Sequence, residues 1–337
     1  MKPDLETTDR AAKKRSKKKR ILWFVLIPLF LVIIGGGSYF FHIYNKAQAV
    51  ANGAFSELGR GDKSAKREKA VKPMTDNVSI LIMGVDESKT REKEYGTATR
   101  TDALLLATIN KNDKSVKLLS IPRDSRVYIP SRKKEDKINH AHAFGGVDST
   151  IDTVERFLDV PVDYYVKFNF ESFIEIVDSL GGIDVDVPVT FTEQDSKDNP
   201  DAIHLEKGRQ HLNGEEALAL ARTRHIDTDY MRGQRQQLVL EAIAEKALSV
   251  NSIDKLGGLL DAVDNDIKTN LTFDDMMAIT KNMMSSDLKM DKLQIKGKDE
   301  YIDGIYYYVP EEESVQAISE ELQNHLGVTS KSDHKKL

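Results

Sequence analysis

The sequence predicts an α/β fold: a mixed central β-sheet covered by helices on both sides (αβα), preceded by a single N-terminal transmembrane helix. Three observations carry this. Val78–Val85, Ala103–Ile109 and Val116–Ile121 are near-continuous apolar runs of strand length, the pattern of strands buried on both faces. Segments with apolar residues three and four apart alternate with further strand-like runs, as in a sheet layered between helices. Ile21–Phe41 is an uncharged stretch of 21 residues. As a helix it spans about 31 Å, close to the hydrocarbon thickness of a bilayer.

Taken in order, residues 1–20 form a polar tail with nine basic and three acidic residues, net +6. This cluster predicts a cytoplasmic N-terminus, and Trp23 and Tyr39 sit where interfacial aromatics belong, giving an anchor over residues 21–43. The chain is therefore expected to be a single-pass protein of the cell membrane with everything after the anchor outside the cell. A cleaved secretory signal is the competing reading, because small residues recur at Ala47, Ala49 and Ala51, but the apolar run is longer than a usual signal core. The basic run could also suggest nucleic-acid binding; its place directly before a membrane span makes topology the simpler account, and no nucleic-acid partner is expected.

Residues 44–75 are rich in Lys, Ala, Gly and Ser with little periodicity and predict an extracytoplasmic stalk. The folded domain is expected over 76–327. After the first three strands come helices at Ile151–Leu158 and Phe170–Leu180, the second opening at Asn169 as a cap and closing at Gly181. Strands are expected at Tyr164–Phe168 and Ile183–Val187, and helices at Gly214–Ala221 and Gly233–Leu248. Helices at Ile253–Val263, Phe273–Met284 and Glu311–Leu326, with strands near Leu293 and Tyr306, complete the domain, and residues 328–337 read as a disordered tail.

Composition narrows the chemistry. A chain of 337 residues with 40% apolar content can bury a substantial core. It has no cysteine, which excludes disulfides, thiolate metal sites and cysteine nucleophiles. No P-loop, GxGxxG or GxSxG segment supports nucleotide or serine hydrolysis, and the histidines form no HExxH pair. The total charge of −5, less the +6 of residues 1–20, leaves −11 for the remainder.

Against that acidic background, Ala221–Gln237 (ARTRHIDTDYMRGQRQQ) concentrates Arg222, Arg224, Arg232 and Arg235. Charge this dense and of one sign suggests a site for phosphate or carboxylate groups. Arg222 and Arg224 point to one side if extended, and Arg232, Arg235 and Gln236 share one helix face with Val239, Ile243 and Ala247. The basic residues should then lie at the mouth of a buried surface. The plainer reading, a salt-bridged surface helix, fits four arginines on an inward stripe poorly.

Three polar triplets interrupt the apolar strands: Gly84-Val85-Asp86, Arg100-Thr101-Asp102, and Pro122-Arg123-Asp124. Strand ends of α/β sheets are where ligand clefts form, although each triplet alone fits ordinary turn chemistry. The apolar faces carrying Ile151, Val154, Phe157, Phe170, Phe173, Ile174 and Val177 could line a groove, but periodicity does not separate a groove from a packed core.

The ordered series GVD, RTD, IPRD, KINHAHAFGG (Lys137–Gly146), FNFESFIEIVDSLGGIDVDV (Phe168–Val187), LNGEEALALARTR (Leu212–Arg224) and RGQRQQ (Arg232–Gln237) resembles the LytR-CpsA-Psr family. The resemblance covers Val78 to about Leu248, the family core 78–248, and is nearest to the wall teichoic acid ligases of bacilli. It implies an extracytoplasmic phosphotransferase that moves an anionic glycopolymer, wall teichoic acid above all, from a polyprenyl pyrophosphate carrier to a hydroxyl of peptidoglycan.

On the same resemblance, Arg100, Arg123, Arg222, Arg224, Arg232 and Gln236 match positions that contact pyrophosphate, and Asp86 and Asp102 match positions near a divalent metal. That metal is expected to be Mg2+, with Mn2+ as an alternative. Arg235 is added from the helix-face argument. Asp102, Arg100 and Arg123 are the expected catalytic group, with Asp102 orienting or deprotonating the attacking hydroxyl. The spacing from Asp86 to Arg100 varies within such families, so Asp86 is the looser of the two metal positions.

The residues agree with that chemistry. Preset guanidinium groups stabilise charge that builds on phosphoryl oxygens, and hard carboxylates suit Mg2+, which needs only one or two protein ligands beside phosphates. Two other classes remain: a membrane-bound transcriptional attenuator, whose cytoplasmic part of 20 residues is too short for a reading module, and a wall-polymer binder without turnover.

Overall fold

The computed structural model describes residues 41–85, 99–249, 267–283 and 288–328. The expected transmembrane anchor, apart from its last residues, the helix at Ile253–Val263 and the C-terminal tail lie outside them. Among the described residues no helix is long and apolar enough to cross a membrane. Two units are distinguished, residues 1–49 and 50–337; of the first, the described residues 41–49 are helical.

In the second unit, β1 (Val78–Val85), β2 (Thr101–Asn110) and β3 (Ser115–Ser120) form an antiparallel meander of the three apolar runs. A hairpin of β4 (Arg126–Ile129) and β5 (Lys134–Lys137) leads into α1 (His140–Leu158), and β6 (Tyr164–Asn169) then pairs parallel with β1. Next come α2 (Phe170–Ser179), β7 (Ile183–Val187), β8 (Phe191–Glu193), β9 (Ile203–Leu205), β10 (Gly208–Leu212), α3 (Gly214–Arg222) and α4 (Asp229–Ser249). The chain closes with β11 (Lys268–Thr269), α5 (Phe273–Met283), β12 (Lys289–Gln294), β13 (Gly297–Ile302), β14 (Ile305–Pro310) and α6 (Glu312–Leu326).

The central sheet has the order β11-β6-β1-β2-β3-β12, with β6 parallel to β1, β12 parallel to β3 and the other pairs antiparallel. Its strands are apolar on both faces because both are covered. Leu81, Met83, Leu104, Leu106 and Leu119 face α1 and α6, where Ile151, Val154, Leu158, Ile318 and Leu322 complete a core. The alternate residues Ile80, Ile109 and Val116 face α5, and Leu105, Ala107 and Leu118 face Leu240 of α4. A second core, built from α2, α3, α4 and the small β-ladders, gathers Phe173, Val177, Ile183, Val185, Leu205, Leu212 and Val239.

Local sequence explains the helix starts. Asn169 and Asn213 each accept from the backbone N–H three residues on, and Ser172 and Glu216 reach back to close a capping box. The helix expected from Ile151 begins eleven residues earlier, at His140, and is broken at Gly146, whose φ of 61° lies in the left-handed region. That break interrupts the helical period on which the later start rested.

Residues 50–75, part of the 44–75 stretch expected as a stalk, are packed. Leu58 is buried in the sheet core, and Ser64 Oγ and Arg60 Nη1 bind the carboxylate of Glu155 on α1 at 2.6 and 2.8 Å. Arg67 grips Asp163 through Nε and Nη2 at 2.9 and 2.6 Å, and Asp163 also accepts from the backbone N–H of Ser79 at the start of β1. The segment therefore belongs to the compact unit, held by polar contacts that leave no apolar period in its sequence.

Candidate functional site

The order and direction of the strands bring the polar triplets together. β1 and β6 end, β2 begins and β3 ends at the same edge of the sheet, so Gly84, Asp102, Phe168 and the turn carrying Arg123 converge there. α3 and α4 roof this edge, and α4 approaches it closely: a Cβ on Gly233 would lie 2.5 Å from Ser120 Oγ at the end of β3. Gln237 fixes the same helix by donating to Leu118 O and Leu293 O at 2.8 and 2.7 Å. The glycine and a glutamine of RGQRQQ thus seat the helix, and Arg232 faces the gap.

The gap is a cavity of about 290 Å3 with two kinds of wall. Leu105, Phe168, Phe170, Phe173, Leu218, Val239 and Leu240 line an apolar part, with Phe168 and Phe173 stacked at 6.0 Å. Asp102, Arg123, Arg222, Arg224, Arg232 and Gln236 line a polar part. α3 stops at Arg222, and its cap Thr223 is extended at φ −55° and ψ 137°, which brings Arg222 and Arg224 to the same cavity. On α4, Arg232, Gln236 and Val239 are buried as the helix-face argument requires, whereas Ile243 is half-buried and Ala247 exposed.

Each charged group has a defined partner. Arg123 Nη1 donates to Asp102 Oδ1, and its Nε, 3.6 Å from Asp124 Oδ2, makes no hydrogen bond among the described residues. Arg222 is held by the backbone carbonyls of Gln194 and Asp195 at 2.6 and 2.7 Å. Gln236 donates to Ala221 O at 3.3 Å. Arg224, with nearly half its side chain exposed, lies 3.7 Å from Asp124 and 3.8 Å from Asp229.

Arg232 is 4% exposed and has Asp229 at 3.2 Å. Burial pulls its guanidinium below the ordinary value, and Asp229 opposes that pull. Burial also pushes the Asp229 carboxyl up; Arg232 lowers it and the neighbouring Asp124 raises it again. The site thus holds buried cations beside carboxylates in a water-poor pocket, conditions that favour binding of further negative charge.

Two expected site residues stand elsewhere. Arg235 is 1% exposed and does not line the cavity. Its fork is consumed by Leu220 O, Thr223 O and Asp227 Oδ2 at 3.2, 2.7 and 2.5 Å, so it ties α4 to the end of α3. Arg100 is exposed and outside the cavity lining; its charge acts on His140, whose imidazole is held below its usual value by burial first and by Arg100 in part. Asp86 lies outside the described residues. Of the apolar faces suggested for a groove, only Phe170 and Phe173 line the cavity. Ile151, Val154 and Phe157 pack on the opposite face of the sheet, and Ile174 and Val177 in the second core.

The structure adds residues that the sequence reading did not assign. Asp124 closes the quoted IPRD motif and binds Lys137 Nζ at 2.9 Å, and Lys137 opens the quoted KINHAHAFGG. Asp229 stands three residues before Arg232, the helical spacing of an ion pair, and that spacing was its available signal. Glu193 and Gln194 line the cavity from the end of β8, a strand too short for its alternation to register. No group of three His, Cys, Asp or Glu that could hold a metal ion is found among the described residues.

Comparisons with known proteins agree with the geometry. The LytR_cpsA_psr family matches residues 39–324. The polyisoprenyl-teichoic acid–peptidoglycan teichoic acid transferase TagU of Bacillus licheniformis is 41% identical over 292 residues, covering 86% of this chain and 90% of its own. TagT bound to LI-WTA is 39% identical with a TM-score of 0.69, over 81% of this chain and 100% of TagT. TagT of Bacillus subtilis with bound octaprenyl pyrophosphate lipid is 38% identical with a TM-score of 0.65, over the same shares. With the motifs in order, the match running through nearly the whole described chain and the fold shared, this chain is a member of the LytR-CpsA-Psr family.

Proposed function

We propose that this chain transfers an anionic glycopolymer, wall teichoic acid, from a polyprenyl pyrophosphate carrier to a hydroxyl of peptidoglycan. The observation that carries the reading is a cavity lined both by aromatic and aliphatic side chains and by Arg123, Arg222, Arg224, Arg232 and Asp102. A prenyl pyrophosphate has the same division into apolar chain and dianionic head. The relatives' activity as teichoic acid transferases and the octaprenyl pyrophosphate seen in TagT support it.

The acceptor oxygen attacks the phosphorus that bears the polymer, the bridging P–O bond breaks, and polyprenyl phosphate leaves. A phosphodiester between polymer and peptidoglycan remains. Charge builds on the equatorial oxygens and on the leaving bridge oxygen, and preset guanidinium groups stabilise it without reorganisation. Arg232 is suited to this because it is already desolvated, with one carboxylate near it. Asp102 engages Arg123 through Oδ1, which leaves Oδ2 to orient the attacking hydroxyl or take its proton.

The donor set fits a hard divalent ion, Mg2+ or Mn2+, in a site completed by substrate phosphates. Val85, at the end of β1, pairs across the ladder with Thr101, the residue before Asp102. Such an ion, when bound by Asp102 and Asp86, supplies electrostatic stabilisation of the phosphates. The N-terminal basic tail and Ile21–Phe41 support an extracytoplasmic cavity on a membrane-anchored protein, where lipid-linked pyrophosphates are available.

The test is transfer of polymer from a lipid-linked donor to a peptidoglycan fragment by the full chain. Arg123→Ala and Arg224→Ala should each lower turnover by about a hundredfold or more. Near-normal turnover in both variants would overturn the assignment.

A further inference from the structure

A second aromatic surface lies across the charged cluster from the cavity. β13 and β14 form a hairpin in register from Gly297↔Pro310 to Ile302↔Ile305, so Asp299, Tyr301, Tyr306 and Tyr308 project from one face. Along that face burial falls outward from Tyr308, 5% exposed, through half-buried Tyr306 to Tyr301, 74% exposed. Tyr301 and Tyr306 pack edge to face at 5.7 Å and 63°, and the Tyr306 hydroxyl donates to Asp299 Oδ1 at 2.8 Å. The rings form a ledge whose outermost member has a free flank.

The ledge is bolted to the catalytic turn. Tyr308 N donates to Asp124 O at 3.0 Å, Ser125 and Tyr308 form an isolated parallel bridge, and the Tyr308 hydroxyl donates to Ile295 O at 2.9 Å. Lys137 Nζ stands 5.5 Å from the Tyr306 ring centre and 5.8 Å from that of Tyr307, and the same ammonium binds Asp124 Oδ1 at 2.9 Å. The series from the cavity outward is therefore Arg123, Asp124, Lys137 and Tyr306. None of the last three residues lines the cavity.

We infer that this ledge seats the glycan strand of the acceptor peptidoglycan, an inference that rests on the transferase reading. Two arguments select that occupant. In an in-line displacement the attacking oxygen enters opposite the leaving oxygen. The cavity holds the leaving prenyl phosphate, so the acceptor comes from the far side of the charged cluster, where the ledge stands. The second argument is charge. Asp299, Glu300 and Asp303 ring the hairpin, with Lys298 already 3.7 Å from Glu300, and this repels a phosphate-rich donor polymer. An uncharged sugar ring is not repelled, and its C–H face stacks on an exposed tyrosine.

The inference is tested by acceptor kinetics with soluble peptidoglycan fragments at saturating lipid-linked donor, and by fragment binding without donor. Tyr301→Ala, at an exposed position, should raise the acceptor KM by about five- to tenfold with kcat and donor affinity unchanged. Tyr301→Trp, which keeps a flat ring, should restore it. An unchanged acceptor KM in Tyr301→Ala, or a rise confined to the donor, overturns the ledge while the transferase reading stands. Fragment binding that is lost in Tyr301→Ala, in a wild-type protein that performs no transfer, overturns the transferase reading and leaves the ledge as an acceptor site.

Discussion

Arg123 donates through Nη1 to Asp102 Oδ1, joining the turn after β3 to the start of β2 across two neighbouring strand ends. The two groups proposed as catalytic therefore hold each other in place. Asp102→Asn and Arg123→Lys should each lower transfer by about a hundredfold. Because they act as a unit, the double variant should lose much less than the product of the two. Turnover of the three variants checks this, and multiplicative losses would mean that the pair does not cooperate.

Arg235 differs from its neighbours in the same arginine run. Removing it leaves Asp227 and two carbonyl oxygens without their donor. Arg235→Ala is therefore expected to cost about 3 kcal/mol in urea unfolding. Arg224→Ala, at a half-exposed position, should change stability little while reducing turnover. Equal stability of the two variants would place Arg235 back among the ligand-binding groups.

The apolar wall sets the donor. Leu218→Trp adds bulk to the cavity beside Phe168 and Phe173 and should raise the KM for long-chain prenyl donors by about tenfold. Donors with a shortened prenyl chain should be affected less. Equal loss for long and short chains would mean that the apolar wall does not hold the prenyl group.

His325 links stability to pH. Its imidazole is buried between Thr108 Oγ1 and Ser115 Oγ, both at 2.8 Å, and burial, aided by the Lys117 charge, holds it below the ordinary value of 6.5. The folded state thus prefers the neutral ring. The stability contributed is fully present above the unfolded value, about 6.5, and is lost as pH falls through the lower folded value. Urea midpoints of His325→Gln should fall less than those of the wild type below about pH 6.5. Parallel curves would exclude this histidine as the linked group.

Much of the site is encoded locally. The three apolar runs became strands because covering helices bury both faces, and Asn169 caps α2 because its side chain answers the N–H of Ser172. The inward stripe of Arg232, Gln236 and Val239 follows from helical spacing alone. Spacing does not say what an inward residue meets. Arg232 meets a cavity and Arg235 meets the carbonyls of α3, a difference fixed by the packing of α3 against α4. Arg100 and Asp102 are two apart, the spacing that puts strand residues on one face, but β2 begins only at Thr101, so that alternation does not reach Arg100, which is exposed. The strand expected near Tyr306 is β14, whereas β13 and the β4–β5 hairpin, charged and short, carry too little apolar alternation to stand out.

The contacts of residues 55–76 set where the catalytic unit can be cut. A fragment begun at residue 76 would strip Arg60 and Ser64 from the 6%-exposed carboxylate of Glu155, and Arg67 from the 4%-exposed Asp163. Two buried carboxylates would then keep only uncharged donors, from Val162 and Ser79, in place of their guanidinium partners. A fragment begun at residue 50 retains every one of these bonds and also the bridge from Phe55 to Thr269 on β11. The natural boundary for truncation therefore falls ahead of this segment.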